Sequence, residues 1–353
     1  MMTFLVRLGA LRRKIKPRTR LTEWRIRLTF GMVLLVLSEL VVWQNPPRRT
    51  GFDWVALYIL YTALGAIFLD LVVRFQVATP AALGLASGVY GLAASSLINH
   101  TAYENIPFGL LSRGMGLQVG AGFLALMFFL IVMRGKAPEP LPIASAGVVG
   151  VAWALWGHWY PLQATVGWGL ATMETLQLYT VIGLMILAIL FSTLPPRFGT
   201  LRETRFTLLW WEGILVGVPL FISVLVGMIN GAIPALIFLI PVVLVAYCLW
   251  ALRWQKDRRG YEPSILAELT YIAPNLITYV IMAGMFLFAG GVAYPLVEGK
   301  DAPLGVVIYY TVVGFGTAWL PFASGLIFWE VLRTDLNPRL VTEAADEDEE
   351  GES

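Results

Sequence analysis

Ten long apolar segments fill most of this chain, and nothing constrains its fold more. They run near 28–44, 52–73, 79–98, 116–133, 143–159, 176–194, 207–229, 232–252, 272–297 and 306–332. A helix needs about 20 residues to cross a hydrocarbon core of roughly 30 Å. Segments such as Ala235–Leu252 are almost continuously apolar, whereas a barrel strand alternates apolar and polar positions. Helices also satisfy their own backbone hydrogen bonds in lipid. Only 14% of the residues are charged, against about 25% in soluble domains. The expected fold is all-α: a polytopic integral membrane helical bundle of about ten transmembrane helices at 28–332. A basic tail at 1–27 and an acidic tail at 333–353 flank it.

Basic residues orient the bundle. Of the 25 lysines and arginines, 21 lie in residues 1–27 or in every second loop. Those loops hold Arg74; Arg134 and Lys136; Arg197, Arg202 and Arg205; Arg253, Lys256, Arg258 and Arg259; and Arg333 with Arg339. The intervening loops hold only Arg48, Arg49, Arg113 and Lys300. Basic loops stay cytoplasmic, so the spacing predicts a plasma-membrane protein with both termini inside (N-in/C-in). The first apolar run ends in Trp43-Gln44-Asn45-Pro46-Pro47, which reads as an uncleaved span rather than a signal peptide. Thr342–Ser353 carries seven carboxylates and no base, the composition of a solvated tail. The one cysteine, Cys248, excludes an internal disulfide and a cysteine-based metal cluster.

Glycine pairs predict close helix packing: Gly84 with Gly88, Gly116 with Gly120 and Gly122, and Gly213 with Gly217. Pro241, in mid-span, removes a helical hydrogen bond and kinks the rod. Ten spans divide arithmetically into five plus five, as in transporters built from inverted repeats, but the halves do not match in sequence. Two outer connections, Asn99–Met115 and Gly157–Thr175, are longer than a turn requires, and such loops carry binding groups.

Charges within apolar segments need partners, because each costs at least about 2.5–3.5 kcal/mol at the bilayer centre. Asp70 precedes Arg74 by one turn and Glu330 precedes Arg333. Glu212 opens its helix, where the dipole favours an anion, within reach of Arg202 or Arg205. These three read as anchors. Glu39 lies at the C-terminal end of the first helix, where the dipole disfavours it, and its helical neighbours Leu35, Val36, Val42 and Trp43 offer no base. It therefore needs a partner on another segment, a water-filled cavity, or a proton.

His100 and His158, the only histidines, are expected at the same outer depth, with Glu104, Glu174, Arg113 and Gln118 nearby and Trp153, Trp156, Trp159, Tyr160 and Trp168 around them. Three readings fit these residues. One is an interfacial aromatic belt. The second is a binding or proton-relay site joining Glu39 to His100 or His158. The third is a metal site of two histidines and two carboxylates, although no HExxH signature occurs.

A Walker motif, paired haem histidines, acidic diphosphate-binding clusters and an intraspan lysine for a retinal Schiff base are all missing from the sequence. The leading expectation is a secondary transporter or exporter of a small molecule, proton-coupled through Glu39. Alternatives are a non-catalytic integral subunit of a larger membrane complex, and a membrane enzyme acting on a lipid-linked substrate. No cofactor, metal or nucleic acid is expected. The partners are the lipid bilayer, a small molecule, and a second copy or other membrane proteins if the chain is a subunit.

Overall fold

The computed structural model describes residues 17–42, 49–104, 106–135, 138–163, 173–194, 206–259, 262–270, 274–297 and 301–336. Among them the backbone forms helices and turns without a strand, the form of a multi-pass membrane bundle. Helix α1 is Pro17–Leu35, prolonged by a π-helical segment at Val36–Val42. Helix α2 is Gly51–Arg74. Helix α3 is Pro80–Ala93, prolonged by a second π-helical segment, Ala94–Ile98. A third, Leu110–Gln118, leads into α4 at Val119–Met133. Then come α5 Pro140–Gln163, α6 Met173–Ser192, α7 Trp210–Ile229, α8 Leu239–Arg259, α9 Leu276–Val297 and α10 Asp301–Leu336. Nine helices among the described residues are long and apolar enough to cross a membrane. The exception is α1, whose first half carries Glu23, Arg25 and Arg27. The helix begins at Pro17, inside the segment expected to be a basic tail.

Local chemistry sets the helix starts. Thr79 caps α3 by accepting from Ala82 N (3.3 Å), with Pro80 in the first turn, where its missing N–H leaves no bond unmade. Thr50 caps α2 in a reciprocal box: Asp53 N donates to Thr50 Oγ1 (3.3 Å) and Thr50 N to Asp53 Oδ2 (2.7 Å). Such boxes satisfy two end-of-helix donors at once.

The helices are not equivalent. Between 61% and 83% of the residues spanning α2, α3 and α4 are buried, against 17–28% for α6 to α10. From Ile26 to Leu40 α1 is also almost wholly enclosed. The first four helices thus form a core, and the later ones pack around it. α7 lies on α2, α8 on α3, α10 on α3 and the π-helical segment before α4, and α5 pairs with α9. Lipid tails are as apolar as leucine, so these contacts rest on close dispersion packing rather than on exclusion of water. A Cβ added at Gly88 would lie 2.1 Å from Trp319 Cη2 of α10, and one at Gly122 2.4 Å from Tyr90 Cδ1. Gly120, Gly213 and Gly217 meet nothing within 4 Å, so only part of the glycine pattern marks close approach.

A layer of rings crosses the core, with Phe30 one turn from Arg27 and Phe68 two residues from Asp70. Tyr90 stacks on Phe68 (5.5 Å), Phe68 meets Phe30 (5.9 Å), Phe30 meets Phe129 (5.1 Å), and Phe129 meets Phe191 (6.2 Å). Each such pair contributes about 0.5–1.5 kcal/mol beyond its area.

At the end of the bundle rich in basic residues, the three anchors are paired, two of them differently from expectation. Asp70 holds Arg74 (3.0 Å) as the spacing predicts, and also accepts from Leu208 N (2.7 Å). Glu330 is met from α8 by Gln255 Nε2 (3.0 Å) and Arg259 (3.4 Å). Glu212 is paired with Arg27 of α1 at 3.0 Å, both side chains fully enclosed. Arg202 and Arg205, the partners expected for it, lie outside the described residues. Trp24 Nε1 donates to Glu212 Oε1 (3.1 Å), Leu209 N to Oε2 (2.9 Å), and Arg27 also donates to the Phe206 carbonyl (3.3 Å).

Candidate functional site

All three π-helical segments lie toward the opposite, base-poor end, and they belong to three of the four core helices. A π turn inserts one residue, breaks the regular ladder and re-aims the side chains that follow; such turns concentrate at functional sites. The turn in α1 carries Ser38 and Glu39, and the carbonyls near its end are met from α5. Trp153 Nε1 donates to Leu40 O (3.1 Å) and Trp156 Nε1 to Val42 O. These two tryptophans, read from sequence as part of an interfacial belt, are buried against α1. Trp159, Tyr160 and Trp168 lie outside the described side chains.

Glu39 is fully enclosed, and its carboxylate is ion-paired with Arg49. Arg49 belongs to the connection before α2, beyond the helical neighbours that offered no base. The adjoining Thr50–Asp53 box fixes the start of α2, and the Arg49 guanidinium lies 5.6 Å above the Trp54 ring, an arrangement in which the ring face attracts the cation. Arg49 keeps 18% of its side chain exposed while Glu39 keeps none. The pair is therefore open on the arginine side only.

A polar network extends from this pair into the core. Tyr61 OH donates to Glu39 Oε1 (2.7 Å), and Asn99 Nδ2 donates to Tyr61 OH (3.3 Å). Ser38 Oγ and Tyr90 OH share a hydrogen bond of 2.7 Å, and Tyr90 lies near enough to interact electrostatically with Glu39 and Tyr61. Asn99 Oδ1 and Gln118 Oε1 are buried with no hydrogen-bond partner among the described residues. Buried polar atoms normally have partners, so each leaves bonding capacity open to a ligand or water. Tyr61, Asn99, Ser38 and Tyr90 were not singled out from sequence. A tyrosine or serine in an apolar run carries no charge to flag it.

Of the other candidate site residues, His100, Glu104 and Arg113 have described side chains. His100 adopts a left-handed backbone (φ 57°), and its Nε2 lies against α7, 2.9 Å from where a Cβ on Gly227 would stand. Its neighbour Asn99, not His100, joins the Glu39 network. Glu104 and Arg113 pair with each other across the loop, and Glu104 has an extended backbone after the short turn Thr101–Tyr103, so it is not one α-helical turn on from His100. No group of three or more potential metal-binding side chains occurs among the described residues. His158 and Glu174 fall in α5 and α6, but their side chains lie outside those described.

Burial holds the His100 pKa below its usual 6.5, partly offset by a hydrogen bond with the Leu97 backbone. The folded state then binds fewer protons than the unfolded one as pH falls below about 6.5. Stability is expected to drop as pH falls through the unfolded-state value of about 6.5, and His100→Gln to remove that part of the drop. Thermal melts of both proteins on either side of this value check it.

Comparison with protein families, characterised proteins and solved structures gives no match, so function has to be argued from this geometry.

Proposed function

We propose that the chain is a secondary transporter of a small molecule, coupled to protons through Glu39. In this reading it sits in the plasma membrane with ten spans and both termini cytoplasmic, as the distribution of its bases favours. One observation carries the reading: Glu39, a fully buried carboxylate on a π turn, is neutralised by a cation from outside its helix that remains partly exposed. An ionisable side chain inside a membrane bundle is costly and marks a substrate or proton pathway by default.

The chemistry is an exchange of partners. A ligand that draws Arg49 away leaves Glu39 to take a proton, so no isolated charge is left in the core. Tyr61, itself held by Asn99, keeps the carboxyl group in place during the exchange. The ring layer of Phe30, Phe68 and Phe129 separates the site from the base-rich end, as a closed barrier does in one half of a transport cycle. The π turn is where α1 would bend to open the other half.

The test is proton flux in proteoliposomes that enclose a pH-sensitive dye, challenged with a panel of metabolites, lipophilic acids and amines. Wild-type protein is expected to acidify or alkalinise the lumen with at least one class of compound, and Glu39→Gln to abolish the signal while still folding. Flux that survives Glu39→Gln, or no flux with any compound, overturns the proposal.

A further inference from the structure

Beside the Glu39–Arg49 pair, a cavity of about 350 Å³ opens between α1, α2 and α6. Its walls include Leu35 and Leu40 of α1, Trp54 and Tyr58 of α2, and Tyr179 and Ile186 of α6. Pockets that bind small molecules start at about this size. Tyr58 OH is already engaged with Leu28 O (3.3 Å), and Trp54 stacks on Tyr179 (5.9 Å) across the cavity's width. The space is apolar, bordered by exposed Val55, Ile182 and Ile186, so it opens sideways between α2 and α6 to the lipid.

The polar rim says what kind of molecule fits. Trp54 Nε1 is buried without a hydrogen-bond acceptor among the described residues, and Trp54 is also the ring beneath the Arg49 guanidinium. An indole N–H and a guanidinium have donors and no acceptor. Two donors, one on a wall residue of the apolar cavity and the other over that residue's ring, match an anionic head on an apolar body. We infer that this cavity binds an amphipathic anion, its chain between α2 and α6 and its carboxylate or phosphate on Arg49 and Trp54 Nε1. The inference rests on the transporter reading and names its substrate class.

Charge balance adds a second consequence. Arg49 and Glu39 together are neutral, so an anion entering the site brings a proton with it to Glu39. The ionisable groups seen to face Glu39 are Arg49, Tyr61 from α2 and Tyr90 from α3. From α5 the turn meets Trp153 and Trp156 through indole N–H groups, and from α6 it meets Gly183. On the side facing α4, Leu37 and Val41 share an apolar cavity with Phe123 and Met127. Of these only Glu39 is a carboxylate.

The experiment uses the full chain in phosphatidylcholine nanodiscs with dodecanoate as probe and dodecanol and dodecyltrimethylammonium as controls. Dodecanoate is expected to raise the unfolding temperature and to take up about one proton on binding, read as heat in buffers of different ionisation enthalpy. Arg49→Gln and the conservative Trp54→Phe are each expected to weaken it about tenfold or more, and Ile182→Trp to block it by filling the cavity. In Glu39→Gln the proton uptake disappears. Competition by phosphatidylglycerol assigns the site to an anionic lipid, and no competition to a free fatty acid; both support an amphipathic anion. Equal response to all three probes, or dodecanoate binding unchanged in Arg49→Gln and Trp54→Phe, overturns the inference. Failure to bind dodecanoate while a Glu39-dependent flux of another compound persists sinks the inference alone. Binding without any flux sinks the transporter reading alone.

Discussion

Glu212→Ala is expected to destabilise the bundle by about 3–5 kcal/mol, because it leaves the Arg27 guanidinium buried without its counter-ion. Arg27 and Glu212 are both fully enclosed, 3.0 Å apart, and neither can turn to water when the other is lost. The other contacts seen among the described residues, the carbonyls of Phe206 and Thr207 and the Trp24 ring at 5.0 Å, orient Arg27 but do not neutralise it. Replacing both at once, with Arg27→Met and Glu212→Leu, is expected to recover most of the loss, since a buried pair contributes little against well-packed apolar residues. Denaturation in detergent, read as a full cycle of two single variants and the double, separates the coupling from the packing. A single variant as stable as wild type would show that water reaches this pair.

Arg49→Ala is the second large effect, and it falls on function more than on stability. Arg49 is open to solvent on one side, and Tyr61 still donates to Glu39 when Arg49 is gone. Its removal is therefore expected to cost less than the Glu212 variant, about 1–3 kcal/mol, while flux falls to background. Adding Glu39→Gln to Arg49→Ala is expected to restore stability, because the carboxylate that lost its partner is gone, but not flux. That split between recovered stability and lost transport distinguishes a working pair from a structural one. Melting curves and proteoliposome flux on the same four proteins provide both readouts.

Most of the helical frame could be read directly, because a run of about 20 apolar residues has few alternatives in lipid. The site was legible only at its centre. Glu39 stood out through its charge and its place at the wrong end of a helix dipole, yet its partner did not, because Arg49 lies past a chain reversal that periodicity does not follow. Arg27 continued a run of basic residues and so looked like part of a tail; nothing in its neighbourhood announced a carboxylate from α7. The π-helical segments have no residue signature, since they arise from tertiary packing rather than propensity. Glycine pairs in α7 resembled those in α3, but only a facing helix distinguishes Gly88 under Trp319 from Gly217 against open space.

The enclosure of the first four helices by the later ones also sets an order of assembly. Chains are made from the N-terminus, so the helices destined for the centre emerge before those that cover them. The Glu39–Arg49 pair with Tyr61 and Asn99 needs only α1 to α3 and the connection before α2, and it can close early. Arg27 cannot: its counter-ion is encoded in α7, so the base-rich end of α1 reaches its final packing only once residue 212 has been made.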